Sequence, residues 1–311
     1  AQLVEADVED LVQGSFLEHA PVIRVSSFTG ENIDLLHDRI IQMVSDLGTR
    51  CEEPELFRLP VDRVFTTEGF GTVITGTLQE GMVQAGAEVM VYPRERPIKI
   101  RGIQSHGRKE DAAIAGQRTA LNLLNVKKED LKRGDVLAYP GSLVPSALVD
   151  VKLSIFQTSE LKSGDRIHLN YGSAQTIAKA VLMDQDRIAR GESAYAQLRF
   201  DEPVVLKRND RFIIRFLSPV ETFGGGIVLD ASPCKHRRGD PQVMESLGIK
   251  EKGTDLEVME LMIKEESRNF PCAGRIAANM DLPKSRVVQL MDSLKESKRI
   301  LILSDDSVIH M

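Results

Sequence analysis

The 311-residue chain contains no G-x-x-x-x-G-K-[ST] run, the backbone cradle and lysine with which phosphate loops hold a nucleoside triphosphate. Neither D-x-x-G nor N-K-x-D occurs before Val25. A nucleoside triphosphate therefore has no site on this chain alone. No apolar run approaches the ~20 residues that span a bilayer, and no signal peptide is present. Cysteine is scarce. Cys51, Cys234 and Cys272 stand far apart without C-x-x-C spacing, and read as reduced thiols in a cytoplasmic protein. No His or carboxylate pair has metal-ligand spacing, and no Ser–His–Asp set can be assembled. Neither a metal nor a catalytic residue is expected. Positive charge is in deficit too: the net charge of −6 argues against a uniformly basic nucleic-acid sheath and leaves room for local basic patches.

What is present is ample apolar material, 42% of residues, with 28% charged. At this length two to four domains are expected. The chain begins at Ala1 inside a helical pattern and reads as a fragment of a longer protein. In residues 1–48, Val4, Val8, Leu11 and Val12 have helical spacing. Ala20–Val25 reads as a short strand and Ser26–Gly30 as a turn. Asn32–Leu47 reads as a helix with Ile33, Leu36, Ile40 and Val44 on one face. One strand between two helices reads as the tail of a larger α/β domain. A polar linker follows at 49–56.

From 57 to 143, and again from 144 to 233, short strands alternate with Gly, Pro and Asn punctuation. The two regions share a phrase, MVQAGAEVMVY (82–92) and ELKSGDRIHLNY (160–171), each with a Gly turn before an alternating strand. Residues 234–253 read as a charged connector. Over 254–311 the capping-box sequence Thr254–Glu257 opens a helix. Gly274–Met280 and a segment after Asp281 add two more, the last burying Val287, Val288, Leu290, Met291 and Leu294. The strands Ile300–Leu303 and Val308–His310 form a hairpin. Three helices and a hairpin make a winged helix. The expected fold is mainly β: two consecutive small antiparallel barrels, preceded by an α/β remnant and followed by a winged helix. The short join from Leu143 to Ser146 predicts barrels packed as one unit. The long polar join predicts a hinged winged helix.

Phe57–Leu78 reads FRLPVDRVFTTEGFGTVITGTL. Its wording, V-D-R-V-F-x-x-x-G-F-G-T-V-x-T-G-T, resembles the opening of the second domain of translational GTPases, and in particular of the selenocysteine-specific elongation factors. LKRGDVLA (131–138), ETFGGGIVLD (221–230) and a winged helix straight after the second barrel extend the resemblance over nearly the whole chain. It implies that the missing phosphate loop belongs to a GTPase domain upstream. GTP and Mg²⁺ would serve the full-length protein, and neither is expected for this chain alone. Ser26, Ser27 and Phe28 would be what remains of a guanine-contacting loop, with Phe28 where the family usually has Lys.

The resemblance also places Asp62, Arg63 and Arg118 around the aminoacyl group of a charged tRNA. From spacing alone they read as barrel-rim ion pairs. The chemistry suits the implied role: two guanidiniums stabilise a selenolate and do little for a neutral hydroxyl, and a carboxylate fixes one of them. Three basic clusters complete the picture: Arg94, Arg96, Lys99, Arg101 and Arg108; Lys207, Arg208 and Arg211; Lys235, Arg237 and Arg238. Any one reads as a solvated face, but three on an acidic chain suggest phosphate contacts along a tRNA. The winged helix has 8 Lys and Arg against 10 Asp and Glu over Thr254–Met311, poor for autonomous RNA binding.

The implied function is delivery of selenocysteyl-tRNA to the ribosome at recoded UGA codons. A hairpin in the message would be recognised by winged helices beyond this chain, by a monomer that meets no membrane. Two alternatives stay open: a Tu-type general aminoacyl-tRNA or initiation factor, and a non-catalytic module that reuses barrels and a winged helix.

Overall fold

The computed structural model describes residues 2–13, 17–46, 55–67, 71–156, 160–280, 282–303 and 307–311. Most of the expected linker (49–54), Cys51, Asp281 and the turn residues 304–306 lie outside them. The chain divides into two units, Ala1–Arg50 and Cys51–Met311. The first contains α1 (Gln2–Val12) and α2 (Ile33–Asp46). The strand expected at Ala20–Val25 does not form: these residues belong to no strand or helix. A strand needs a hydrogen-bonded neighbour, and no described segment of this unit supplies one. The apolar residues Ile33, Ile40 and Val44 of α2 are correspondingly exposed.

The second unit opens with nine strands: β1 (Phe57–Thr67), β2 (Gly71–Thr77), β3 (Glu80–Gln84), β4 (Glu88–Tyr92), β5 (Arg96–Ser105), β6 (Arg108–Glu110), β7 (Ala112–Ile114), β8 (Arg118–Leu124) and β9 (Val136–Ala138). Successive antiparallel pairings β1–β2–β8–β5–β4–β9 return to β1 and close a barrel. Alternation sends Leu59, Val61, Ile74, Val89, Ile100, Leu121 and Leu137 inside. Then come β10 (Ser146–Ile155), β11 (Leu161–Lys162), β12 (Arg166–Tyr171), β13 (Ala174–Leu182), β14 (Arg187–Ile188), β15 (Ser193–Val204), β16 (Arg211–Arg215) and β17 (Thr222–Asp230). A second barrel closes in the order β10–β15–β13–β12–β16–β17, and β11 pairs with β14.

One turn chemistry recurs. In Leu131–Asp135, Leu161–Asp165 and Leu206–Asp210 the Asp side chain accepts from the Lys N–H three residues earlier, at 2.8, 2.9 and 2.8 Å. The Asp N–H returns to the Lys carbonyl. The residue before the Asp must take positive φ: Gly134 (95°), Gly164 (103°) and Asn209 (69°). This is a type II arrangement. The first copy of the shared phrase has the same backbone turn without the Asp, with Gly86 at φ 88° and Ala87 N–H donating to the Gln84 carbonyl at 3.2 Å, so a common turn explains the phrase without an internal repeat.

Gly76 has a different reason. A Cβ there would lie 2.3 Å from the Pro60 carbonyl oxygen and 2.6 Å from Leu59 Cδ2. Because the obstacle is backbone, Gly76→Ala should destabilise the barrel by about 2 kcal/mol or more. A urea titration should show a lower midpoint at unchanged slope; a wild-type midpoint would refute this.

The barrels meet through buried charge. Arg58 is held by Asp210 of the second barrel at 2.8 and 2.6 Å and by Glu80 at 3.1 Å. Lys207 also pairs with Glu80. Burial beside this network pushes the Tyr171 phenol up to about 12. Tyr92, Val136, Ala138, Leu143 and Val205 form the adjoining apolar contact.

The charged connector at 234–253 is corrected by the structure. Much of it is a helix, α3 (Pro241–Lys252), capped by Asp240, which accepts from the Gln242 N–H at 3.0 Å. Leu247, Val243 and Met244 pack on Val181, Met183 and Leu229 of the second barrel. Lys250, 1% exposed, bridges Asp230 of β17 and Glu265, each at 2.7 Å. The hinge expected here is therefore a docked helix. Of its charges, His236, Arg238, Lys250 and Glu251 meet partners distant in sequence, while Lys235 and Arg237 stay exposed.

Beside it, His236 meets the fully buried Asp150 at 2.6 Å, and Gln197 donates to the same carboxylate at 3.0 Å. Burial pushes Asp150 up. Burial also works against protonated His236, but the Asp150 hydrogen bond and charge outweigh it, so the imidazole is raised. A raised folded-state value stabilises fully below the ordinary histidine range near 6.5 and is lost as pH climbs through the raised value. The melting temperature should therefore fall as pH rises from about 6.5, and His236→Gln should flatten that slope; an unchanged slope in the variant would refute the pairing.

The remaining elements are α4 (Asp255–Glu266), α5 (Ala273–Met280), α6 (Lys284–Glu296), β18 (Ile300–Ile302) and β19 (Val308–His310). The capping box forms: Glu257 N–H donates to Thr254 Oγ1 at 3.3 Å, and Thr254 N–H donates to Glu257 Oε2 at 2.7 Å. Val287, Leu290, Met291 and Leu294 line the core, but Val288, one step round the helix, is exposed. Among the described residues no helix is long and apolar enough to cross a membrane.

Candidate functional site

The sharpest local feature is a β-bulge in β1. Val61 pairs with Gly76 and Arg63 with Thr75, so Asp62 is the extra residue. Without it, alternation continued from Val61 would put Arg63 inside the barrel. With it, Val61 and Val64 face the core while Asp62 and Arg63 both point outward. Asp62 then reaches two outer-face neighbours. Thr75 Oγ1 donates to its Oδ1 at 2.6 Å, and Arg118 Nη2 lies 2.9 Å from its Oδ2.

Arg118 opens β8 and pairs across the sheet with Thr77 of β2. It is placed there by the turn at Gly116 (φ 92°), with Leu78 N–H donating to the Gln117 carbonyl at 3.0 Å. Among the described residues Arg63 has no ion-pair partner, and its side chain is exposed. Arg63, Thr75 and Ala120 form one cross-strand row, with Arg118 two residues along from Ala120. The two arginines therefore rise from one face, their Cα atoms two strand spacings and two residues apart, roughly 12 Å. Asp62 cancels one of the two positive charges.

The next row along that face is Phe65, Val73 and Asn122. Together with Arg101, Lys109 and Ala120 it lines a groove of about 380 Å³. An exposed aromatic ring, two cations and amide groups suit a planar, phosphate-bearing group. Sequence reasoning missed Thr75 and this groove. The signal for the bulge was available: Val61-Asp62-Arg63-Val64 breaks the strand's alternation by one residue.

The basic candidates separate into two sets. Arg94 pairs with buried Asp135, Arg96 with Asp130 at 2.8 Å, and Arg238 with Asp186 at 2.7 Å and the Leu182 carbonyl at 2.8 Å. Lys207 and Arg208 are 3% and 7% exposed. Arg208 donates to the Lys250 carbonyl at 3.0 Å. Both are committed to internal contacts and are not offered to a phosphate. Lys99, Arg101, Arg108, Arg211, Lys235 and Arg237 stay exposed, without an ion pair among the described residues. At the other end of the chain, Ser26 Oγ accepts from the Thr29 N–H at 3.2 Å, closing the turn, and Phe28 is 98% exposed.

Comparisons with known proteins bear on the same regions. The family profile described as "Selenocysteine-specific elongation factor, beta-barrel domain" matches residues 148–235, and "Elongation factor Tu domain 2" matches 71–138. A selenocysteine-specific elongation factor from Desulfomicrobium baculatum is 36% identical over 306 residues, 97% of this chain and 46% of that protein. The apo structure of translation elongation factor SelB from Methanococcus maripaludis superposes with a TM-score of 0.66 at 25% identity, covering 75% of this chain and 55% of that one. A bacterial selenocysteine-specific elongation factor structure covers 99% of this chain and 59% of its own, with a TM-score of 0.65; at 23% identity it supports the fold alone. The chain spans half or less of the length of the curated relatives it matches.

Proposed function

Because the chain belongs to the family of selenocysteine-specific elongation factors, we propose that its first barrel holds the aminoacyl end of selenocysteyl-tRNA for delivery to the ribosome at recoded UGA codons. The observation that carries this reading is the outer-face set Asp62, Arg63 and Arg118, in which one guanidinium is fixed by a carboxylate and the other is left uncompensated. Such a site favours a small anion. A selenol is more acidic than a thiol and is ionised near neutral pH, whereas a serine hydroxyl is neutral. The groove beside Phe65 would take the terminal nucleotide, and the exposed cations would follow the phosphates.

On this reading residues 57–143 and 144–233 are the tRNA-binding barrels of a monomeric, cytoplasmic factor. The winged helix at 254–311 leads toward message-binding modules. GTP and Mg²⁺ belong to a nucleotide-binding domain of which residues 1–48 are the last part. This chain's residues do not fit the nucleotide by themselves. One turn could meet a base edge, and no phosphate loop accompanies it.

The test compares selenocysteyl-tRNA with seryl-tRNA on the full-length protein. Arg118→Ala should weaken the first far more than the second. Equal losses would reduce Arg118 to a phosphate or structural contact and overturn the reading.

A further inference from the structure

Asp62 has a choice of partners. It is the chain neighbour of Arg63, and both side chains leave the barrel on the same side because of the bulge. Yet it pairs with Arg118, two strands away. What separates the two outcomes is Thr75. This residue lies directly opposite Arg63 on β2, and its hydroxyl holds Asp62 Oδ1 at 2.6 Å. With that oxygen fixed on the β2 side, Oδ2 faces Arg118 at 2.9 Å.

We propose that Thr75 is the positioning residue of the site: it commits the Asp62 carboxylate to Arg118 and thereby leaves Arg63 as the uncompensated cation that an anionic aminoacyl side chain meets. The inference rests on the aminoacyl-site reading above and deepens it by assigning the two arginines different tasks. Arg118 is oriented and neutralised. Arg63 supplies the net positive charge. Without the Thr75 hydroxyl, Asp62 can rotate toward Arg63. Arg118, more than half exposed, then loses its anchor while the charge of Arg63 is cancelled by the carboxylate.

The experiment measures selenocysteyl- and seryl-tRNA binding to the full-length protein with Thr75→Val and Thr75→Ser, each alone and with Arg118→Ala. Thr75→Val removes the hydroxyl at nearly constant volume. It should weaken selenocysteyl-tRNA binding about tenfold, the scale of one charge-assisted hydrogen bond, and leave seryl-tRNA within twofold. Thr75→Ser keeps the donor and should stay within twofold for both. In the Arg118→Ala background Thr75→Val should add less than twofold, because without Arg118 the Asp62 carboxylate is already free to turn to Arg63. Should Thr75→Val melt early, Thr75→Ala removes the same hydroxyl and reports on the same coupling.

Equal losses in Thr75→Val and Thr75→Ser would overturn the proposal, as would an undiminished Thr75→Val effect without Arg118. So would wild-type binding by Thr75→Val beside a defective Arg118→Ala, an outcome that leaves the selenocysteyl reading intact. A selective-binding protein unaffected by Arg118→Ala removes both.

Discussion

Replacing Arg118 with alanine is expected to weaken selenocysteyl-tRNA binding by the full-length protein roughly ten- to a hundred-fold while sparing seryl-tRNA. A hydrogen bond to a charged group contributes about 1.5–3 kcal/mol, and each 1.4 kcal/mol is a factor of ten. Arg118 lies 2.9 Å from Asp62, so its removal also frees that carboxylate beside the remaining Arg63. Both consequences lower the positive potential that an anion meets. Asp62→Asn should act in the same direction but more mildly, because it disturbs orientation and leaves both guanidiniums. Lys99, exposed on β5 outside this set, provides the contrast. Its removal should weaken both tRNAs alike and flatten the salt dependence, as expected of a phosphate contact.

The largest loss of stability is expected at Lys250. Lys250→Ala should cost about 3–5 kcal/mol, the scale on which breaking a buried ion pair from one side is felt. The ammonium is 1% exposed and meets Asp230 and Glu265 at 2.7 Å each. Burial disfavours its charged form, yet the two carboxylates outweigh that and hold its pKa well above the ordinary lysine range. Removing it leaves Asp230, 6% exposed, without an ion pair and with the Ser232 N–H at 2.9 Å, while Glu265 retains the Ser246 hydroxyl at 2.6 Å. Chemical denaturation of the 311-residue chain should show the loss. A change under 1 kcal/mol would mean that the junction is hydrated and that α3 is not clamped.

These sites differ in how far they were legible beforehand. The barrels were visible in alternation and in the recurrent turn, because a Lys-x-Gly-Asp turn satisfies its hydrogen bonds within four residues. Asp62, Arg63 and Arg118 were found by resemblance, and the structure brings Asp62 and Arg118 together. Thr75 was not singled out, since a threonine in a strand is ordinary until a bulge places a carboxylate against it. The cluster Lys207, Arg208 and Arg211 was divided by burial. Arg211 stays outside, while the other two join contacts with Glu80 and the Lys250 carbonyl. No local pattern distinguishes those fates.

The connector shows the same limit. Its charges suggested a solvated tether, whereas Val243, Met244 and Leu247 form an apolar face that docks on β13 and β17. By itself the sequence determined what depends on neighbours along the chain: the periods of strand and helix, the glycine turns, the Thr254 capping box and the absence of a phosphate loop. Only the tertiary structure decided which charge meets which. Arg58 and Asp210 lie 152 positions apart, and Lys152 and Glu251 lie 99 apart. The first pair forms only after two barrels have closed and packed, the second only after α3 has docked on the second barrel. A charge's role is set by the dielectric and the partners it finds there, and neither is written in its immediate neighbours.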